Sequence, residues 1–231
     1  MKTNLLILLL FFITNFSFTQ SFNEVKKSAE QGYAKAQFNL GQMYENGLGT
    51  LIDKKQSFYW YKKSAKQGYG EAQFNLGGMY NKGKGTLTDK KQAFYWYKKS
   101  AEQGDAMAQF NLGVMYDNGE DTLTDYKQAF YWYKKSAEQG YSKAQYNLGI
   151  MYDNGEGTLT DKKQAFYWYK KCAEQGDAKA QYNIGVMYFN GEGTLTNKSK
   201  CASWIRVSYE NGFEQANDFW DKFELYKYWN R

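Results

Sequence analysis

Residues 144–176 read AQYNLGIMYDNGEGTLTDKKQAFYWYKKCAEQG, and close copies of this stretch recur every 36 residues along the chain. Every copy keeps the equivalents of Ala144, Gly149 and Trp168. Such a fixed period is typical of proteins built by stacking one small structural unit. The register gives five full units, residues 34–69, 70–105, 106–141, 142–177 and 178–213. A half unit at residues 21–33 precedes them, and residues 214–231 follow as a predicted capping helix.

Each unit is predicted to contain two short helices. In the first unit Ala36, Leu40 and Tyr44 recur at helical spacing and predict a first helix, called helix A. A glycine-rich loop ends helix A, and Asp53 followed by Gln56 is typical of the cap that opens a second helix, called helix B. Neither helix can bury its apolar stripe alone, so consecutive units must stack to form a core. The sequence therefore predicts an all-α solenoid of tandem antiparallel helix pairs.

The fourth unit shows a resemblance to a known family. Its run from Ala144 to Tyr152, its loop Gly155-Glu156-Gly157 and its ending Ala173-Glu174-Gln175-Gly176 resemble the Sel-one-like repeat family, a relative of the tetratricopeptide repeats. The resemblance recurs in all five units and implies a right-handed, tetratricopeptide-like superhelix that serves as an interaction scaffold. Two departures stand out. Asp121 replaces the second loop glycine of the third unit, and Ala202-Ser203-Trp204-Ile205 replaces Phe-Tyr-Trp-Tyr in the fifth, which suggests a capping environment there.

Residues 1–20 have the layout of a secretory signal peptide. Lys2 is followed by an apolar run from Leu5 to Ile13, which is about half the length needed to cross a bilayer. We therefore expect a secreted or periplasmic protein with no transmembrane span in the mature chain. Loss of Lys2 lowers the formal charge from +6 to 6 − 1 = +5, a basic balance that favours acidic partners. Export argues against nucleic acid as a partner.

One side of helix A is aromatic in every unit. On a helical wheel this side lies opposite the predicted buried side, where a tetratricopeptide-like scaffold has its concave groove. The aromatic column consists of Phe38, Phe74, Phe110, Tyr146 and Tyr182. Rigid aromatic side chains dominate binding hot spots, so the column predicts a ladder for a peptide segment. The alternative, that the rings pack sideways in the core, stays equally open at this point.

An asparagine follows each of these aromatic residues. The asparagine column consists of Asn39, Asn75, Asn111, Asn147 and Asn183, and a lysine precedes three of its members by one turn, at Lys35, Lys143 and Lys179. This pairing resembles the carboxylate-binding pattern of some tetratricopeptide domains, although Glu71 and Met107 break it in two units. The favoured alternative is that each amide forms a hydrogen bond between helices, because buried amides generally find protein partners. Lysine pairs such as Lys98-Lys99 on helix B are interpreted as a solvated outer face.

Catalysis is not expected. The chain has no histidine, so it lacks an imidazole base, a Ser-His or Cys-His nucleophile pair and a histidine zinc ligand. Cys172 and Cys201 are predicted to lie too far apart for a disulfide. Some members of the resembled family are associated with β-lactam hydrolysis, and a secreted or periplasmic hydrolase is therefore the alternative function. No Ser-x-x-Lys motif supports it. The favoured function is a monomeric scaffold without cofactor or metal.

Overall fold

The computed structural model describes residues 21–120 and 123–229, and all regular structure in them is helical. The predicted signal peptide and Asp121 lie outside the described residues. The helices are α1 (21–30), α2 (Ala34–Asn46), α3 (Lys54–Lys66), α4 (Gly70–Lys82), α5 (Lys90–Glu102), α6 (Ala106–Asn118), α7 (Tyr126–Glu138), α8 (Ser142–Asn154), α9 (Lys162–Glu174), α10 (Ala178–Asn190), α11 (Lys198–Glu210) and α12 (Gln215–Lys222), followed by a 3₁₀ turn (Leu225–Lys227).

The chain divides into two compact units, Met1–Ala108 and Gln109–Arg231. Within the first unit α2 packs on α3, α3 on α4 and α4 on α5. Within the second unit the same succession runs from α7 through α11, and α12 packs on α11. Even-numbered helices from α2 to α10 are the helices A, and odd-numbered helices from α3 to α11 are the helices B. The predicted all-α solenoid of antiparallel helix pairs is confirmed.

The close approach of helix A and helix B within each repeat depends on one glycine. A Cβ atom built on Gly77 would lie 2.8 Å from Cδ1 of Tyr97, and one built on Gly149 would lie 2.6 Å from Cδ1 of Tyr169. Both distances are far below van der Waals contact, so only glycine lets the helix B tyrosine lie against helix A. In the last repeat Ile205 takes the place of the tyrosine and approaches Gly185 in the same way.

Buried glutamines join neighbouring helices, a feature that the hydrophobic pattern did not predict. The Gln37 amide donates to the Ala29 carbonyl at 3.1 Å and accepts from the Gln67 amide at 2.7 Å. The same arrangement recurs at Gln73 in the first unit and at Gln145 in the second. Each glutamine donates to a backbone carbonyl of the preceding repeat and accepts from the glutamine at the end of helix B in its own repeat. Hydrogen bonds therefore hold the repeats in register in addition to apolar packing.

Short polar side chains fix the ends of the helices. The Asp53 carboxylate accepts from the backbone N–H groups of Lys55 and Gln56, which confirms the predicted cap of helix B. The Ser64 hydroxyl donates to the Ala34 carbonyl at 2.7 Å. Cys172 occupies the equivalent position in the fourth repeat and lies 3.1 Å from the Ser142 hydroxyl. Cys172 and Cys201 are both buried free thiols, as small core residues are expected to be.

The C-terminal segment covers the end of the second unit with aromatic side chains. Phe219 and Phe223 pack on Phe189 with ring centroids 5.5 and 4.6 Å apart, and Leu225 is completely buried. Phe189 stands where earlier repeats carry a polar or acidic residue, and Ile205 stands where they carry a hydroxyl-bearing tyrosine. In the first repeat the Tyr61 hydroxyl donates to the Glu45 carboxylate at 2.9 Å. The two exchanges belong together because Phe189 and Ile205 replace both partners of the equivalent pair by apolar side chains.

Candidate functional site

The aromatic column lies at the edge of the buried side of helix A. Phe38 packs between Tyr61 and Tyr69, with ring centroids 5.7 and 5.1 Å apart, and is only 8% exposed. Phe110 packs in the same way between Tyr133 and Tyr141. The helical wheel placed these rings opposite the core. The difference arises because the neighbouring glycine lets the helix B tyrosine reach across helix A and contact the aromatic ring beside it.

The remaining rings of the column are neither free nor fully buried. Phe74 contacts Tyr97, Tyr146 contacts Tyr169, and Tyr182 contacts Phe213 and Phe219. The four rings other than Phe38 stay half-buried, so each uses one side for packing and leaves the other side accessible. These four are Phe74, Phe110, Tyr146 and Tyr182. Sideways packing and an accessible surface therefore coexist in the column.

Three members of the asparagine column lie close to tyrosine hydroxyls of the preceding repeat. Asn75 is near Tyr61, Asn147 is near Tyr133, and Asn183 is near Tyr169. This proximity favours the interhelical interpretation of these asparagines. Burial raises the pKa of the three tyrosines well above the usual value, so their hydroxyls remain protonated donors at neutral pH. These three tyrosines are Tyr61, Tyr133 and Tyr169.

Asn39 has a different environment because it lies at the start of the array. The residue one repeat before Tyr61 is Val25, which offers no hydroxyl group. Asn39 and the exposed Lys35 line an open cavity of about 390 Å³, together with Tyr33 and the helix α1 residues Glu24, Val25 and Ser28. This cavity lies wholly within the first unit.

A second cavity of about 420 Å³ lies within the second unit and is lined by several of the predicted site residues. Five of its nine lining residues belong to the predicted set, namely Phe110, Lys143, Tyr146, Asn147 and Lys179. The other four are Asp177, Ala178, Gly212 and Phe213. We call this cavity the C-terminal groove. The sequence reasoning missed Gly212 and Phe213, although their register, just before the next helix A position, could have indicated them.

The C-terminal groove combines cationic, amide and aromatic groups. Lys143 and Lys179 are exposed at equivalent positions of α8 and α10 and supply two ammonium groups. Tyr146 is half-buried, and its burial raises its pKa, so the hydroxyl is available as a donor at neutral pH. The Asp177 carboxylate is already engaged, since it accepts from the Ala180 backbone N–H at 2.9 Å as the cap of α10. The arrangement suits a ligand with a carboxylate and an apolar side chain.

Metal ligands and thiols are the remaining chemical groups of interest in the described residues. No group of three or more His, Cys, Asp or Glu residues within 21–120 and 123–229 could hold a metal ion. Burial raises the pKa of the Cys172 thiol to about 11 and that of Cys201 to about 12, so both are protonated at neutral pH. In the described part of the chain, no helix has both the length and the apolar character to span a membrane.

Comparison with known proteins gives the family. The Sel1 repeat model matches residues 34–69, 70–105, 106–141, 142–177 and 178–213, and together these matches cover most of the chain. The chain belongs to the Sel1 repeat family. Proteins of this family are generally scaffolds for protein interaction. No protein with a curated description matches the chain.

Solved Sel1 repeat structures resemble the protein in both sequence and fold. The Escherichia coli protein c5321, described as a protective antigen of uropathogenic strains with an SLR fold, is 39% identical with a TM-score of 0.81 over 84% of this chain. The chain spans only 42% of the length of that protein. A Sel1 repeat protein from Oxalobacter formigenes is 34% identical with a TM-score of 0.77, and the match covers 86% of this chain and 79% of that one.

Proposed function

We propose that this Sel1 repeat protein is an exported scaffold that binds an acidic protein segment in the C-terminal groove. The observation that supports this function is the meeting of five of the predicted binding residues, drawn from the aromatic, asparagine and lysine positions, around one cavity of about 420 Å³. The signal-peptide layout of residues 1–20 supports export to a secreted or periplasmic location. The C-terminal segment that packs on Phe189 and covers the end of the second unit supports a monomer.

The charges of the groove favour a carboxylate. Lys143 and Lys179 line the same cavity from consecutive repeats, while the Asp177 carboxylate accepts a hydrogen bond as the cap of α10. Hydrogen bonds between an ammonium group and a carboxylate are about twice as strong as neutral ones. A partner therefore gains most when an acidic side chain or a chain end lies between the two lysines.

The aromatic walls favour an apolar side chain next to that carboxylate. Three aromatic rings line the groove, those of Phe110, Tyr146 and Phe213. Each ring already packs against a neighbouring tyrosine, so its position does not depend on a ligand. Side chains that are already ordered lose little conformational entropy on binding. The groove is thus built to bind a short segment without reorganisation of its own residues.

Asn147 has a double role in this proposal. Its amide lies near the Tyr133 hydroxyl within the second unit and also lines the groove. An amide has two donor hydrogens and an acceptor oxygen, so an interaction with the tyrosine leaves capacity for a ligand. Binding through Asn147 therefore does not require Asn147 to leave Tyr133.

Selection from a peptide library tests the proposed function. Random peptides with free carboxyl ends are displayed and selected on the purified protein, and the affinity of the best peptide is measured for wild type, Phe110→Ala and Tyr146→Ala. We expect each variant to weaken binding at least tenfold, as loss of an aromatic hot spot does. Tyr167→Ala, which removes an exposed tyrosine of α9, is the matched control. Unchanged affinity in variants that keep full helical content would refute the groove as the binding site.

A further inference from the structure

Three successive helices A of the second unit carry an aliphatic residue beside the C-terminal groove. Ile150 lies one turn after Tyr146 on α8, and Val114 lies one turn after Phe110 on α6, so both share a helix face with residues that line the groove. We call this set the aliphatic stripe, and it consists of Val114, Ile150 and Val186. All three side chains pack against the core and are half-buried, so part of each remains accessible.

Packing within a repeat does not require an aliphatic residue at this position. In the first two repeats the equivalent residues are Gln42 and Gly78, which are half-buried as Ile150 is. The helices A of those repeats have the same length and make the same close contact between a glycine and a tyrosine. The aliphatic stripe is therefore a feature of the unit that contains the C-terminal groove.

Beyond the aliphatic stripe the surface becomes acidic. Asp117 lies one turn after Val114 on α6, and Asp153 lies at the equivalent place on α8. Lys162 pairs with Asp153 at 2.6 Å, whereas Tyr126 stands at the equivalent place beside Asp117. Burial and then the nearby charge of Glu156 raise the pKa of Asp117. Negative charge therefore accumulates around Asp117.

The second unit thus orders three kinds of groups along its helices A. Lys143 and Lys179 lie near the N-terminal ends of α8 and α10, apolar side chains lie in the middle, and Asp117 lies near the C-terminal end of α6. Lys143 and Ile150 are 150 − 143 = 7 residues apart, which is about 10 Å along the helix. An extended chain covers that distance in about three residues.

We infer that the segment bound in the C-terminal groove is dipolar and lies along α8. Its acidic group lies at Lys143 and Lys179, an apolar side chain about three residues away contacts the aliphatic stripe, and a basic group beyond it lies at Asp117. Acidic character is confined to one end of the segment, because a second carboxylate at the other end is repelled by Asp117. The inference rests on the proposed function, since it uses the same lysines and rings.

Double-mutant cycles between the full chain and a designed peptide test the inference. The labelled hexapeptide carries aspartate at one end, leucine at the spacing just given, lysine at the other end and serine elsewhere, and fluorescence anisotropy measures its affinity. Its leucine is replaced by serine and tested on wild type and Ile150→Gln. Its lysine is replaced by glutamine and tested on wild type and Asp117→Asn. The control is Glu174→Gln on the outer face of α9.

The variants are chosen to keep the fold. The first repeat already has a glutamine, Gln42, at the position of Ile150, and asparagine has nearly the shape of aspartate. Thermal melting establishes that each protein is folded. We expect loss of the peptide leucine to weaken binding about tenfold on wild type and little on Ile150→Gln. Loss of the peptide lysine should weaken binding about threefold at low salt on wild type and Glu174→Gln, and not on Asp117→Asn.

The outcomes separate the inference from the proposed function. Equal effects of the peptide changes on wild type and variant proteins would overturn the inference, and the groove itself would stand if Tyr146→Ala still weakened binding. Failure of the designed peptide to bind folded wild type would also overturn the inference. Peptides selected from the random library would then decide the proposed function by themselves.

Discussion

The side-chain amide of Gln175 donates to the side-chain oxygen of Gln145 at 2.7 Å, one turn from the junction between two repeats. The Gln145 amide in turn donates to the Ala137 carbonyl of the preceding repeat at 3.2 Å. Gln145 is only 3% exposed, so both of its polar ends depend on these bonds. A buried amide with both ends satisfied strengthens the junction and specifies the register of the repeats.

Replacement of this glutamine tests the junction. We expect Gln145→Leu to lower the free energy of unfolding by about 1–3 kcal/mol, because it removes two buried hydrogen bonds, the one to the Ala137 carbonyl and the one from the Gln175 amide, each worth about 0.5–1.5 kcal/mol. Urea unfolding followed by circular dichroism measures the change. Gln164→Leu, on the exposed side of α9, is the control and should stay within about 0.5 kcal/mol of wild type. Equal stability of the two variants would show that the buried amides are dispensable.

Two glycines of the same helix should respond in opposite ways to an added methyl group. Gly77→Ala places its Cβ 2.8 Å from the Tyr97 ring and should destabilise the protein by about 1–3 kcal/mol. Gly70→Ala at the start of α4 meets only ordinary contacts of 3.5 Å or more, and alanine occupies its place in three other repeats. It should raise stability by about 0.4–1 kcal/mol. Thermal melting of both variants checks the difference, and a stable Gly77→Ala protein would contradict the close-approach argument.

The third repeat contains a carboxylate without the lysine that accompanies it elsewhere. Asp117 accepts from the Tyr133 hydroxyl at 3.2 Å, but Tyr126 stands where Lys162 pairs with Asp153 in the next repeat. Burial, followed by the charge of Glu156, raises the pKa of Asp117 above its usual value. A raised folded-state pKa means that protonation favours the folded state. The charged Asp117 carboxylate therefore lowers the free energy of unfolding. This loss is absent below the ordinary aspartate pKa and complete above the raised pKa.

Asp117→Asn should consequently stabilise the protein at neutral pH, by about 0.5 kcal/mol after allowance for solvent screening of this partly buried group. The gain should disappear as the pH falls below the ordinary aspartate pKa of about 3.9. Asp153→Asn, which breaks the pair with Lys162, is the matched control and should not stabilise the protein. Chemical unfolding across the pH range measures both. A loss of stability in Asp117→Asn at neutral pH would be the contrary result.

Much of the fold could be predicted from the sequence because the repeat supplies five aligned copies of each position. The Ala144 column identifies the buried side, Asp53 and its equivalents identify the start of helix B, and the glycine beside Leu40 indicates a close approach. The buried role of Gln145 could not be predicted, since a polar residue carries no hydrophobic signal. Its partners come from a distant backbone carbonyl and from another amide.

The candidate site was predicted less well because a helical wheel treats each helix as an isolated cylinder. The wheel cannot represent Tyr61 reaching across Gly41 to cover Phe38. Nor can it represent Phe213, which is the last residue of the fifth repeat, lies outside any helix A and lines the C-terminal groove. The predicted lysine and aromatic positions around Tyr146 do line one cavity, because the position of a side chain along the repeat was enough to bring them together.

The central claim, that the C-terminal groove binds an acidic segment, is tested most directly by reversal of its charge. The affinity of the selected peptide is measured by calorimetry for wild type, for Lys143→Glu with Lys179→Glu, and for the outer-face control Lys170→Glu with Lys171→Glu. The two double variants change net charge equally. Our account predicts a loss of at least about a hundredfold in the groove variant and a small, salt-sensitive loss in the control. Equal losses in both variants would contradict it.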